Sequence, residues 1–181
     1  TYSGSLYVSE YELSTYMEET IDAFRSYANI KHINLTYESS FRYLNVWLDK
    51  DKMDSILKNI ISNALKYTPD GGNVHVFTSE TEDTWSIEVK DTGIGIPASE
   101  QKKLFKMHFR GSNAINSKVT GSGIGLLLVG KLVHLHKGKL NFSSMEGKGS
   151  CIKITFPKGN KHFRKAIQRP QPQNERIVYS A

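Results

Sequence analysis

The sequence predicts an α+β fold: a two-layer sandwich in which helices cover one face of a mixed, mostly antiparallel sheet. Residues 50–69, KDKMDSILKNIISNALKYTP, place Met53, Ile56, Leu57, Ile60, Ile61 and Ala64 at helical spacing, so one face of a long helix is apolar and must be buried. Short alternating segments occur as adjacent pairs joined by tight turns, the pattern of antiparallel neighbours. Along the chain the order is helix, two strands, helix, two strands, two helices, two strands, which packs as helices on a sheet.

Taken in order, Ser9-Glu10-Tyr11-Glu12 has the form of a capping box, and Leu13, Met17, Ile21, Phe24 and Ala28 behind it predict an amphipathic helix to about Lys31. Ile33, Leu35 and Tyr37 alternate, as do Leu44, Val46 and Leu48, giving two short strands. After the central helix, Pro69-Asp70-Gly71-Gly72 turns the chain into a strand at Val74–Thr78. Glu80–Asp83 is polar, and Trp85, Ile87 and Val89 alternate beyond it, so these two strands read as a hairpin. Asp91-Thr92-Gly93-Ile94-Gly95-Ile96-Pro97 breaks the chain. A short helix to about Lys106 follows, then a polar stretch, Gly111–Ser122, without periodicity. Gly123-Ile124-Gly125 opens a helix that runs from Leu126 to about His136 and is closed by Gly138. Leu140 and Phe142, then Ile152, Ile154 and Phe156, form the last strand pair, and Pro157 stops the sheet.

The chain of 181 residues is expected to be one domain, residues 1–157, followed by a basic linker or tail, residues 158–181. It opens on Thr1 and is expected to be a piece of a longer protein, with no signal peptide and no membrane span. Of the net charge of +6, residues 157–181 carry +5, from Lys158, Lys161, Arg164, Lys165, Arg169 and Arg176 against Glu175. The body is near neutral, and the basicity belongs to a solvated tail rather than to a nucleic-acid-binding face. Cys151 is the single cysteine, which excludes a disulfide framework or thiolate metal cluster; on an apolar strand it reads as an inert small hydrophobe. His134 and His136, two apart on a helix, point to different sides and are poor joint metal ligands.

Chemistry concentrates elsewhere. Asn59, Asn63 and Lys66 form a polar stripe along one edge of the apolar face of the central helix, where buried amides must find partners. Three glycine-rich turns follow: Gly93/Gly95, Gly121/Gly123/Gly125 and Gly147/Gly149. They let backbone approach a ligand closely, and the second sits at a helix N-terminus, where free N–H groups favour phosphate. Gly125–Lys131 spells G-x-x-x-x-G-K, but Leu132 replaces the Ser or Thr of a P-loop. Gly121-Ser-Gly-Ile-Gly follows a polar loop instead of a strand, which removes a Rossmann reading. No His-Arg-Asp or Asp-Phe-Gly motif is present, so the chain is not a eukaryotic-type protein kinase.

The ordered set Asn59-x3-Asn63-Ala-x-Lys66-Tyr67-Thr, Asp91-x-Gly93-x-Gly95-Ile96-Pro, Phe105-x3-Phe109-Arg110, Gly121-x-Gly123-x-Gly125-Leu126 and Gly147-x-Gly149-Ser resembles the N, G1, F, G2 and G3 boxes of the sensor histidine kinases. The resemblance spans about residues 5–157 and implies the Bergerat ATP-binding sandwich shared with the gyrase, Hsp90 and MutL ATPases. By that resemblance Asp91 accepts a hydrogen bond from the adenine amino group, and Gly93, Gly95 and Ile96 belong to the same nucleotide-binding set. Asn63, with Asn59 beside it, helps hold a Mg²⁺ that bridges the phosphates of ATP. Lys66 and Tyr67 lie along phosphates and ribose, and Arg110 approaches the γ-phosphate. Gly121, Gly123, Gly125 and Leu126 close over the triphosphate. Asn59, Lys66 and Arg110 are the expected catalytic residues.

Two departures sharpen that expectation. The ATPase cousins carry a water-activating glutamate at the position of Asn59, and an amide cannot take a proton, which favours phosphotransfer over hydrolysis. The family's phosphoacceptor is a histidine followed by an acidic residue in a helical hairpin; none of the six histidines here, His32, His75, His108, His134, His136 and His162, has that context. The resemblance therefore implies partners: the dimerisation and phosphoacceptor domain of the same kinase, and downstream a response-regulator receiver domain. It also implies a cytoplasmic location, the soluble part of a membrane-anchored sensor, and a monomeric fragment. The tail resembles the linker to a receiver domain in hybrid sensors. A hydrolytic ATPase of the same fold and a degenerate domain that binds no nucleotide are the competing readings.

Overall fold

The computed structural model describes residues 5–104 and 125–163. Strand β1 (Ser9–Glu12) leads directly into helix α1 (Leu13–Ile30). The capping box expected at Ser9–Glu12 is therefore not one. Those residues pair antiparallel with β3 (Asn45–Leu48), and the N-cap is Glu12. Its carboxylate accepts from the Ser14 and Thr15 amides at 3.2 and 2.8 Å and from the Thr15 hydroxyl at 2.7 Å. Burial pushes the Glu12 pKa up, but these bonds and one from the Leu44 amide outweigh it and hold the group below its ordinary value. A second segment able to complete a ladder overrode the local capping signal.

Helix α2 (Lys50–Tyr67) buries Met53, Ile56, Leu57, Ile60, Ile61, Ala64 and Leu65, the expected face with Leu65 added. Full burial of such aliphatic side chains stabilises by about 1.5–3 kcal/mol each. The main sheet has the order β2 (Asn34–Ser39), β4 (Asn73–Glu80), β5 (Thr84–Asp91), β7 (Gly149–Pro157), β6 (Lys139–Met145). Only β2 and β4 run parallel; the β4–β5 and β6–β7 hairpins and the β5–β7 pair are antiparallel. Leu35, Val74, Val76, Trp85, Ile87, Val89, Ile152, Ile154 and Phe156 face the helices in one core with α1, α2 and α4 (Gly125–Leu135). The expected strand at Val46 lies outside this sheet, in the small ribbon with β1. Between β5 and α4 the structure describes one short helix, α3 (Ala98–Gln101).

Both α1 and α4 end in Schellman motifs on non-glycine residues. His32 (φ 53°) and Lys137 (φ 59°) take the left-handed position, with Ile33 N–H bonded to Ala28 O and Gly138 N–H to Val133 O. Gly138 thus closes α4 one residue beyond the left-handed turn, where a Cβ would meet the Phe156 ring at 2.6 Å.

A buried histidine joins α4 to α2. The His136 imidazole donates from Nδ1 to Leu132 O (2.9 Å) and accepts at Nε2 from the backbone N–H of Asp49 (3.2 Å), the N-cap of α2, so it is held neutral. Burial lowers its pKa, against the opposing pull of the Leu132 carbonyl and the Asp49 carboxylate; burial also lowers that of His162. A base whose folded pKa is depressed contributes stability that is complete above its ordinary titration range and lost as pH falls through that range toward the folded value. Thermal unfolding measured from about pH 7.5 to about pH 5 should show a falling midpoint, and His136→Gln should flatten that dependence by the share His136 carries. An unchanged slope in the variant would exclude His136 as its source.

Beside this joint Leu6, Val8 and Phe163 form a second small cluster with Trp47 and Leu135. The packed chain thus extends beyond Pro157 to Phe163. Residues 164–181, the greater part of the expected tail, lie outside the described residues.

Candidate functional site

Asp91 closes β5, flanked in the sheet by Val74 of β4 and Ser150 of β7. Its Oδ1 accepts from the backbone amides of Gly93 (2.8 Å) and Ser150 (3.2 Å). Among the described residues Oδ2 accepts no hydrogen bond. Burial raises the carboxyl pKa, and the two amide bonds only partly offset that rise. The result is a partly desolvated carboxylate with one oxygen anchored and one left to accept a donor from outside.

The loop beyond it, residues 92–97, is stitched to neighbouring backbone. Ile94 N–H donates to Tyr67 O (3.1 Å) at the end of α2, and Gly147 N–H donates to Ile94 O (2.8 Å). A Cβ on Gly93 would lie 2.6 Å from Tyr67 O, and one on Gly95 (φ 63°) would lie 2.0 Å from Met145 O. At these positions glycine lets the loop pack directly on neighbouring backbone. Three residues that periodicity did not reveal complete the frame. Ser144 Oγ accepts from Ile96 N–H (2.8 Å) and donates to Gly149 O (3.0 Å). Gln101 donates through Nε2 to Ile96 O (3.0 Å) and Ser144 O (2.7 Å). Ser150 supplies the second amide to Asp91, and the Gly149-Ser150 pair in the last glycine turn was its one visible signal.

The helix whose last residue meets this loop, α2, carries the polar edge. Asn59 is partly buried and donates from Nδ2 to Ser55 O (2.8 Å), which turns Oδ1 toward the start of α4. A Cβ on Gly125 would sit 2.5 Å from that oxygen, so the Asn59 carboxamide packs directly on the glycine at the start of α4. Among the described residues the half-buried Asn63 side chain makes no hydrogen bond. The Lys66 ammonium lies 5.5 Å from the centre of the Tyr67 ring, and Leu126 packs against the core. The structure therefore joins Asn59 to Gly125, Tyr67 to Gly93 and Ile94, and Asp91 to Gly93 and Ser150. Phe105, Phe109, Arg110, Gly121, Gly123 and the polar stretch Gly111–Ser122 lie outside the described residues.

Among the described residues no cluster of three or more His, Cys, Asp or Glu could hold a metal ion. Two amide oxygens, one oriented by Ser55 and one uncommitted, are instead the kind of neutral oxygen donor that suits a hard cation also bound by phosphate. Nor is any helix among the described residues long and apolar enough to cross a membrane.

Residues 48–160 match the family model described as histidine kinase-, DNA gyrase B-, and HSP90-like ATPase. The sensor histidine kinase WalK of Bacillus subtilis is 38% identical over 148 residues, 81% of this chain and 24% of WalK. The chain thus spans about a quarter of that relative's length. Among solved structures, the nucleotide-free catalytic domain of histidine kinase ThkA superposes with a TM-score of 0.74 at 22% identity, covering 84% of this chain and 99% of that one. Full-length ShkA in complex with AMPPNP gives a TM-score of 0.75 at 20% identity, over 88% of this chain and 33% of ShkA. Both likenesses establish the fold. With a matched family model over more than half its length, a relative 38% identical over 81% of the chain, and an anchored aspartate whose glycine loop rests on the end of α2, the chain belongs to the histidine kinase-, DNA gyrase B-, and HSP90-like ATPase family.

Proposed function

We infer that this chain is the ATP-binding catalytic domain of a two-component sensor histidine kinase, positioning Mg-ATP for transfer of the γ-phosphoryl group to a histidine on a dimerisation domain. The observation that carries the reading is Asp91, one oxygen fixed by two backbone amides and the other without a described hydrogen bond, at the head of a glycine loop that rests on the C-terminal residue of α2. An acceptor-only group held in a partly dry site selects a donor such as an exocyclic amine of a purine. Gly93, Gly95 and Ile96 shape the floor beside it. Asn59 and Asn63 would hold Mg²⁺, which when bound neutralises charge on the phosphates. Lys66 and Tyr67 flank phosphates and ribose, and Arg110, Gly121, Gly123, Gly125 and Leu126 complete the phosphate side by the same resemblance.

Asn59 offers no base to activate water, which supports phosphotransfer to another nucleophile, achieved by positioning and charge stabilisation. The six histidines lack the acceptor context, and His136 is committed at both nitrogens to the fold. The partners proposed are the phosphoacceptor hairpin of the same kinase and a receiver domain. The location proposed is cytoplasmic, with residues 164–181 as a linker.

Mixing the chain with its kinase's hairpin domain, Mg²⁺ and radiolabelled ATP should label the hairpin histidine and leave this chain unlabelled. Asn63→Ala should suppress that labelling while changing stability by no more than about 0.5 kcal/mol, since the Asn63 side chain makes no hydrogen bond among the described residues. Acid-labile phosphate on this chain alone would overturn the assignment of the acceptor to another domain. Rapid ATP turnover by the isolated chain would make it a hydrolytic ATPase, and absence of any nucleotide binding would make it a degenerate module.

A further inference from the structure

A helix leaves its last four carbonyls without intrahelical partners, and at α2 the destination of each can be followed. Ala64 O accepts from both the amide (3.1 Å) and the hydroxyl (2.6 Å) of Thr68. Leu65 O and Lys66 O accept from a single ammonium group, Nζ of Lys31, at 2.8 and 3.2 Å. Tyr67 O accepts from Ile94 N–H. Lys31 Nζ also reaches Thr68 O at 2.8 Å, just past the helix. The lysine comes from the C-cap of α1, 34 residues before Leu65, and its own carbonyl accepts from Gly71 N–H at 3.4 Å. A cation placed there also suits the negative end of the helix dipole.

Lys31 thus takes up the carbonyls on either side of Tyr67 in sequence, and Tyr67 O remains for Ile94, the middle of the loop that follows Asp91. We propose that Lys31 is a positioning residue for nucleotide binding: by clamping the C-terminal turn of α2 it holds Tyr67 O where the 91–97 loop must rest. It touches neither base nor phosphate itself. Without the ammonium the freed carbonyls turn to water, the last turn frays, and the Tyr67–Ile94 bond loosens. The Asp91 oxygen that faces the ligand then loses its fixed relation to the α2 edge. The proposal rests on the nucleotide-site reading above.

The test measures binding of an ATP analogue with Mg²⁺, together with amide exchange at Ile94, well below the unfolding temperature. Wild type, Lys31→Met and Lys31→Arg are compared. Lys31→Met should weaken binding by about tenfold, the size of a lost charge-assisted contact, and speed Ile94 exchange while Val89 in the core is unchanged. Lys31→Arg, which keeps charge and donors, should restore most of both. If Lys31→Met does not fold, Lys31→Gln replaces it with the same expected directions. A lower unfolding temperature with wild-type affinity and wild-type Ile94 exchange would make Lys31 merely structural and overturn the proposal. Failure of the wild type to bind nucleotide would sink the nucleotide reading itself, and Ile94 exchange in the ligand-free proteins would still decide the Lys31 clamp.

Discussion

Asp91→Asn is expected to weaken ATP binding by about tenfold to a hundredfold while leaving the domain no less stable at neutral pH. The carboxylate accepts at Oδ1 from Gly93 and Ser150, and in the proposed site Oδ2 accepts from the adenine amino group. An asparagine has one acceptor and one donor. With its oxygen toward Gly93 and Ser150, its NH₂ confronts the adenine amino group; turned over, the NH₂ confronts two backbone N–H groups instead. Either arrangement leaves donors facing donors, at a cost of about 1–3 kcal/mol. Stability runs the other way, because burial raises the Asp91 pKa despite the two amide bonds. A carboxyl whose folded pKa stands above its unfolded value binds its proton more tightly when folded. Its contribution to stability therefore falls as pH rises through the window between the two values, and the penalty is complete above the folded one. The neutral amide escapes that penalty. Calorimetric titration with ATP should show the lost affinity, and unfolding midpoints of the two proteins should converge as pH falls below the folded value. Unchanged affinity would remove Asp91 from base recognition; a large loss of stability at neutral pH would show the charge to be structural.

Gly149→Ala should destabilise the fold by about 3 kcal/mol or more and abolish nucleotide binding with it. Gly149 sits at φ 120°, and a Cβ there would lie 1.9 Å from Asp91 O and 3.0 Å from Thr92 Cα. Those are backbone atoms of the neighbouring strand and cannot swing aside, so β7 would have to part from β5 where Ser150 N–H holds the Asp91 carboxylate. Gly147 is the control two residues away. It is left-handed too (φ 74°), but nothing lies within 4 Å of its Cβ position, so Gly147→Ala should cost only the conformational preference, about 1 kcal/mol. Denaturant unfolding of the pair separates the two causes, and equal losses would show that close approach is not what requires glycine at 149.

Much of this architecture is legible in the sequence, because its signals are local. The apolar face of α2, the alternation in β4, β5 and β7, and the glycine turns that end them each lie within a few residues and depend on side-chain period alone. The sandwich class followed from their order, and the ordered motifs pointed to the family. Where local signals competed, the sequence could not rank them. Ser9–Glu12 satisfies both a capping box and a strand, and pairing with Asn45–Leu48, more than thirty residues away, decided for the strand. The left-handed residue at the end of α4 is Lys137 rather than Gly138, because the glycine was needed one position later to clear Phe156.

By itself the sequence determined which residue types stand at which turn: Asn59 and Asn63 on one helical edge, Asp91 before two glycines, glycine at 125, 147 and 149. Tertiary structure alone decided what each of them meets. Ser150 reaches Asp91 across 59 residues, His136 accepts the Asp49 amide across 87, and Lys31 caps α2 across 34. Each such contact is one hydrogen bond whose geometry is set by strand register and helix crossing, and those are properties of the whole packed core that no local period encodes.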